Sequence, residues 1–175
     1  MLPELPEPRH GDGYRIALVC LGNICRSPMA DVVLEHRVGE AGLADRVRVA
    51  SCGTGGWHVG RPMDDRAAAT LTAAGYDATR HRAQQLAGGW LEEFDLLLAM
   101  DRQNLADVQL HATADTQHRV RLFRDFDPVG PGSEVPDPYY GGGAGFEEVL
   151  TMVERTSAAI VAALQQRVPR WWDLS

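Results

Sequence analysis

At 175 residues, with 45% hydrophobic and 23% charged positions, the chain has the length of one domain built around a single buried core. No apolar run approaches the roughly 20 residues that a membrane-spanning helix needs, so no membrane segment is expected. The net charge is −7, all seventeen basic residues are Arg and none form a cluster, which argues against a nucleic-acid or anionic-lipid surface.

Residues 1–13 hold several prolines and acids but no cationic start before an apolar stretch, and they read as a flexible tail rather than a secretory signal. Tyr14 to Val19 is a short run of strand character, closed by Cys20 and Gly22. Ser27 is placed to cap the next helix and Pro28 suits its first position, after which Ala30, Val33, Leu34 and Arg37 share a face until Gly39 and Gly42 weaken the pattern. Val47 to Ser51 is a second strand, Gly53 to Gly60 a glycine-rich loop, and Asp64 to Ala74 an Ala-rich helix stopped by Gly75. Phe94 to Met100 reads as a buried strand, Asp101 as the cap of a helix through His111, and Val120 to Phe123 as a fourth strand. Phe146, Val149, Leu150, Val153, Ile160, Val161 and Leu164 mark a last helix. The long Pro- and Gly-rich connection before it, Arg124 to Gly145, is of the kind that is usually functional. Strands alternating with helices predict an α/β fold with a parallel sheet.

In such a sheet, ligands bind beyond the carboxyl ends of the strands, where a turn presents N–H groups beside a helix N-terminus. Here that turn reads Val19-Cys20-Leu21-Gly22-Asn23-Ile24-Cys25-Arg26-Ser27-Pro28. A phosphate dianion fits between its ends, with backbone N–H groups on its oxygens and the planar Arg26 guanidinium gripping two of them. Cys20 then lies beneath the phosphorus, and the helix dipole, the loop amides, Arg26 and the Ser27 hydroxyl all favour its nucleophilic thiolate. The spacing of Cys and Arg alone is a weak signal in so Arg-rich a chain; the preceding strand and following helix give it weight. Three cysteines with none after Cys52 do not make a disulfide framework, so reduced thiols and a cytoplasmic location are expected, with signal-independent export left open. No pair of His or Cys has ligand spacing backed by a second pair, and neither metal nor cofactor is expected.

Val19 to Pro28 resembles the phosphate-binding loop of the low-molecular-weight protein tyrosine phosphatases, and Asp137-Pro138-Tyr139-Tyr140 resembles their general-acid loop. Ser51 with Gly53-Thr54, Asp65-Arg66-Ala67, His81 and Leu98-Ala99-Met100-Asp101 stand in the order of that family, and the likeness is to a bacterial, actinobacterial-like member. The resemblance implies one phosphatase domain over residues 14–168, followed by a tail at 169–175, with a four-stranded parallel sheet flanked by helices and the phosphate loop after the first strand. It implies hydrolysis of phosphotyrosine through a phosphocysteine on Cys20, with Arg26 as phosphate clamp and Asp137 as general acid and then base. Leu21, Gly22, Asn23, Ile24, Cys25, Ser27, Trp57, Tyr139 and Tyr140 are then substrate-binding, and Ser51, His81 and Asp101 supporting. Phosphotyrosine-containing proteins are the implied partners, and Tyr139 and Tyr140 are candidate targets of a tyrosine kinase. Cys25 is a candidate to capture oxidised Cys20 reversibly, with Cys52 as the alternative.

Cys52 after the serine, Gly141-Gly142-Gly143 after the tyrosines, and Trp171-Trp172 at the end depart from the family pattern. The two Trp are expected to dock on their own domain. An arsenate reductase of the same fold would need downstream thiols that the chain lacks after position 52. A phosphoarginine phosphatase fits Ile24 and the aromatic acid loop less well, and a non-catalytic phosphopeptide module needs neither Cys20 nor Asp137.

Overall fold

The central strands form where apolar sequence runs nearly unbroken, as in a sheet covered on both faces. In a computed structural model, which describes residues 2–141 and 143–172, β1 (Tyr14–Cys20) is buried along its length except at Arg15, and β3 (Leu96–Ala99) throughout. With β2 (Val47–Gly53) and β4 (Val120–Leu122) they make a parallel sheet in the order β2-β1-β3-β4. The register pairs Cys20 with Gly53 and Val19 with Ala99, so the chain leaves β1 in one direction for β2 and in the other for β3. This reversal of strand order opens a crevice at the carboxyl end of β1.

Alternation along β1 sorts its side chains. Ile16, Leu18 and Cys20 join the larger core, with Met29, Val33 and Leu34 of α1 (Arg26–Glu40), Ala67 and Leu71 of α2 (Asp65–Ala73), and Phe146, Val153 and Ile160 of α5 (Gly143–Trp172). Ala17 and Val19 face the smaller core, with Leu91 of α3 (Trp90–Glu93) and Val108 of α4 (Arg102–Gln109). Cys20 therefore leaves the sheet on the α1 side, where its loop turns directly into that helix.

Several boundaries differ from expectation. Ser27 is not the cap of α1: the cap position is Cys25, without a side-chain bond, and Ser27 is the second helical residue with Pro28 third. The Ser27 hydroxyl is turned to the loop instead. Asp64 and Asp101 do cap their helices, accepting from Arg66 N–H and Asn104 N–H. The segment expected to be flexible before β1 is docked: Leu5 is buried, the Tyr14 hydroxyl donates to Pro6 O, and Arg9 N–H donates to the buried Asp95 at 2.7 Å. The last helix also continues past residue 168, with Pro169 inside it, as far as Trp172. Trp171 stacks on Tyr14 with ring centroids 4.7 Å apart, whereas the Trp172 side chain and residues 173–175 lie outside the described residues.

Candidate active site

The loop after β1 is held by side chains that surround one residue. Asn23 has φ 57°, a left-handed conformation that Asn tolerates better than most residues. It is fully buried, and each of its polar groups beyond the backbone N–H is used: its amide donates to Ser27 Oγ at 2.8 Å and Ser51 Oγ at 3.0 Å, while its side-chain oxygen accepts from Gln84 N–H. His81 Nε2–H donates to its carbonyl at 2.7 Å, which fixes the tautomer; burial lowers the His81 pKa, although that hydrogen bond opposes the shift. These partners offset the cost of the strained backbone. Asn23 N–H in turn points at Cys20 Sγ, 3.3 Å away. β2 closes in from the side, with Thr54 and Gly55 N–H donating to Cys20 O and Leu21 O. A side chain at Gly53 would meet Leu21 O at 2.7 Å, so this approach requires glycine.

The chain of donors has one direction. The Asn23 amide can only donate to Ser27 Oγ, which leaves the Ser27 hydroxyl proton for Cys20 Sγ at 2.9 Å or for the more distant Cys52 O at 3.4 Å. A thiolate there accepts from both Ser27 and Asn23 N–H. The first turn of α1, with no side-chain cap, supplies the amides and dipole that an anion in the loop would meet.

Arg26 lies beneath the crevice, 3% exposed, with Nη1 donating to Asp101 Oδ2 at 2.7 Å and to Val135 O at 3.0 Å. Burial disfavours its charge, but Cys20, Asp101 and Asp137 nearby outweigh that cost and raise its pKa. Asp101 serves twice, since its other oxygen caps α4. The long loop brings Asp137 to the same place, its Oδ2 3.7 Å from Arg26 Nη2 and its carboxyl 40% exposed at the mouth. Thus Cys20, Arg26 and Asp137, separated by up to 117 positions in the chain, border one cleft of about 380 Å³.

The cleft is polar at its floor and apolar at its rim, where Leu21, Ile24, Trp57, Tyr139 and Tyr140 stand. Gly22 and Cys25 line it as well, while Ser27 and Asn23 lie behind it. Burial pushes the Cys25 thiol up to about 12, and Cys52 rises further for the same reason. Cys25 shares the cleft and core cluster of Cys20, whereas Cys52 faces the opposite core. A larger cavity of about 750 Å³, bordered by Asp31, Glu35 and Arg80, has no cysteine on its wall. Among the described residues no group of three His, Cys, Asp or Glu is placed to hold a metal. Sequence reasoning did not find Gln84 or the Val135 carbonyl, because neither belongs to a local pattern, whereas His58, a histidine expected near the cleft, lines its wall.

Residues 15–170 match the family model described as low molecular weight phosphotyrosine protein phosphatase. The chain is similar to a low molecular weight protein-tyrosine-phosphatase of Streptomyces coelicolor, 46% identical over 89% of this chain and 96% of that protein. It is 43% identical to low molecular weight protein-tyrosine phosphatase A of Mycobacterium tuberculosis, over 91% of this chain and 96% of that one. Among solved structures, a protein tyrosine phosphatase of Entamoeba histolytica with Hepes in its active site superposes with a TM-score of 0.84 at 28% identity, covering 88% of this chain and 98% of that one. YfkJ of Bacillus subtilis gives 0.83 at 30% identity, over 89% and 96% of the two chains. Sequence, fold and cleft agree, and the chain belongs to the low molecular weight phosphotyrosine protein phosphatase family.

Proposed function

We propose that this phosphatase acts on phosphotyrosine in proteins with Cys20 as nucleophile, Arg26 as phosphate clamp and Asp137 as proton donor. The observation that carries the assignment is the placement of the buried Arg26 between Asp101 and Asp137 in the cleft that holds Cys20. The thiolate attacks phosphorus as the P–O bond to the phenol breaks; the electron pair goes to the phenolic oxygen, which takes the Asp137 proton. Asp137, now a carboxylate, removes a proton from water, whose oxygen attacks phosphorus while the P–S pair returns to Cys20. Arg26 and the loop amides hold the non-bridging oxygens through both steps and neutralise the charge on them.

The aromatic rim supports the phenyl specificity. Trp57 is 71% exposed and Tyr139 39%, so aromatic surface is available at the mouth for a flat substrate whose phosphate must reach the floor. Tyr140, 93% exposed, and Tyr139 present side chains that a tyrosine kinase could modify, and that regulation belongs to the same reading. So does reversible capture of oxidised Cys20 by Cys25, and a cytoplasmic location that keeps three unbridged thiols reduced.

The test combines trapping with specificity. Cys20→Ser should hold phosphotyrosine proteins without turning them over, because a hydroxyl is a poor nucleophile where a thiolate is needed. Wild type should hydrolyse phosphotyrosine peptides well ahead of phosphoserine peptides. Equal rates on both, or residual turnover in the serine variant above about a hundredth of wild type, would overturn the reading.

A further inference from the structure

We propose that Arg66, at the start of α2, is a positioning residue that sets the acid loop over the cleft; this rests on the reading of Asp137 as proton donor. Residues 137–141 form a turn exposed except at Pro138, which is buried beside Gly145 of α5, and it is held internally by Tyr139 N–H to Asp137 Oδ1 and Gly141 N–H to Pro138 O. Internal bonds fix the shape of a turn but not its position. Among the described residues, the hydrogen bond that reaches residues 138–141 from another element comes from Arg66, whose Nη1 donates to Gly141 O at 3.4 Å. The same guanidinium lies 5.4 Å from the centroid of the Tyr139 ring and 4.8 Å from that of Phe146, the buried residue with which α5 enters the core.

The other edge of the guanidinium is anchored on the phosphate loop side. Its Nε and Nη2 grip the two oxygens of Asp64 at 3.1 and 3.0 Å, and Asp64 N–H donates to Ile24 O at 2.8 Å. One planar group therefore ties the acid loop, through α2, to the loop that carries Cys20 and Arg26. Arg66 is 42% exposed, and an exposed ion pair is worth little by itself. What matters is geometry: a fork for Asp64 and flat faces for two rings can be supplied together by Arg and not by Lys.

If Arg66 positions the proton donor, its loss must be felt in proportion to the need for that proton. kcat/KM includes the steps through departure of the leaving group, so it is the quantity to compare across aryl phosphates of different leaving-group acidity. Arg66→Ala should lose about 10-fold on phosphotyrosine, a fraction of the 10²–10⁴ typical of general acid catalysis, and less than about 2-fold on an activated nitrophenyl ester. In an Asp137→Ala background the Arg66 substitution should cost nothing further, since no proton donor remains to be placed. Arg66→Lys, which keeps the charge and is the milder change for folding, should lie between wild type and Arg66→Ala with the same dependence. An equal loss on every ester, or an undiminished loss in the Asp137→Ala background, shows a merely structural role and overturns the proposal. If Asp137→Ala itself lacks the leaving-group dependence, the acid assignment falls and this proposal with it; if Asp137→Ala shows it and Arg66→Ala does not, only the role of Arg66 is lost.

Discussion

A proton donor has to keep its proton until the leaving group departs, and the connection after β4 carries three aspartates that could serve, namely Asp125, Asp127 and Asp137. Asp125 is used locally, its carboxylate accepting from Leu122 N–H. Asp127 is fully buried, and hydrogen bonds from Arg155 foremost, with Val129 N–H and Arg124, hold its carboxyl far below the usual carboxylate range. Such a group is a locked anion that fastens the connection to α5. Asp137 alone stands at the mouth near Arg26. Asp137→Ala should therefore lower kcat/KM on phosphotyrosine by roughly 100-fold or more, and by distinctly less as the leaving phenol, with its pKa near 10, is replaced by more acidic ones. Asp127→Ala should instead lower the melting temperature, because Arg155 and Arg124 lose their partner, and should leave that leaving-group dependence as in wild type. Steady-state rates on a series of aryl phosphates decide it; the reverse pattern would move the acid to Asp127.

At the scale of elements, α1 joins the site to the core, and a titration on its second turn reads out that junction. Asp31 is half-buried beside β2; burial first, and Glu35 next to it, raise its pKa to about 7, while a hydrogen bond with Ser51 and the charge of Arg80 work the other way. The ordinary value is 3.8, so between about 4 and 7 the folded state binds a proton that the unfolded chain has released. The stability this confers is present at low pH and is lost as pH rises through 7. Asp31→Asn, which cannot ionise, should melt above wild type at pH 8, with the gap closing towards pH 5; a gap that widens on acidification sinks the assignment. Little of this junction was legible in the sequence. The Cys-to-Arg loop and the strand before it were readable because they form a short, chemically distinctive string, and Asp101 was readable as a helix cap, whereas Asp137 stood out through the family resemblance. Ser27 was misread as a cap because a serine before Pro28 usually is one, and only the fold shows that Cys20 and Asn23 claim its hydroxyl. Gln84 and the contact of Arg66 with Gly141 were beyond a one-dimensional reading, since the partners lie 61 and 75 positions away.

Across the described residues, the site occupies one end of the sheet, and the segment before β1 and the last turns of α5 are fastened at the other. Tyr14 opens β1 and Cys20 closes it, so roughly 20 Å of strand separates the Trp171 stack from the nucleophile at about 3.3 Å per residue. The fastening has several parts: Trp171 on Tyr14, Arg167 to Glu7 Oε1 at 2.9 Å, Arg119 to Glu7 O at 2.8 Å, and the buried Asp95 accepting from both Arg9 N–H and Arg15 N–H. It explains why the segment before β1, whose composition suggested a loose tail, is held in place: it is polar and proline-broken in sequence, yet finds partners in α5 and in β1. Stability drawn from this end is independent of catalysis if β1 is rigid along its length, as its pairing with a strand on either side implies. Trp171→Ala forfeits an aromatic pair worth about 0.5–1.5 kcal/mol beyond its area, and with the apolar area lost a total of roughly 2 kcal/mol is expected. For a chain of this length that corresponds to a fall in melting temperature of about 4–8 °C, measured by calorimetry. Over the same comparison kcat/KM on phosphotyrosine at 25 °C should not change, because Trp171 stacks on Tyr14, at the opposite end of β1 from Cys20. A loss of activity without a loss of stability would show that the far end of the sheet is coupled to the cleft, and that β1 transmits the coupling.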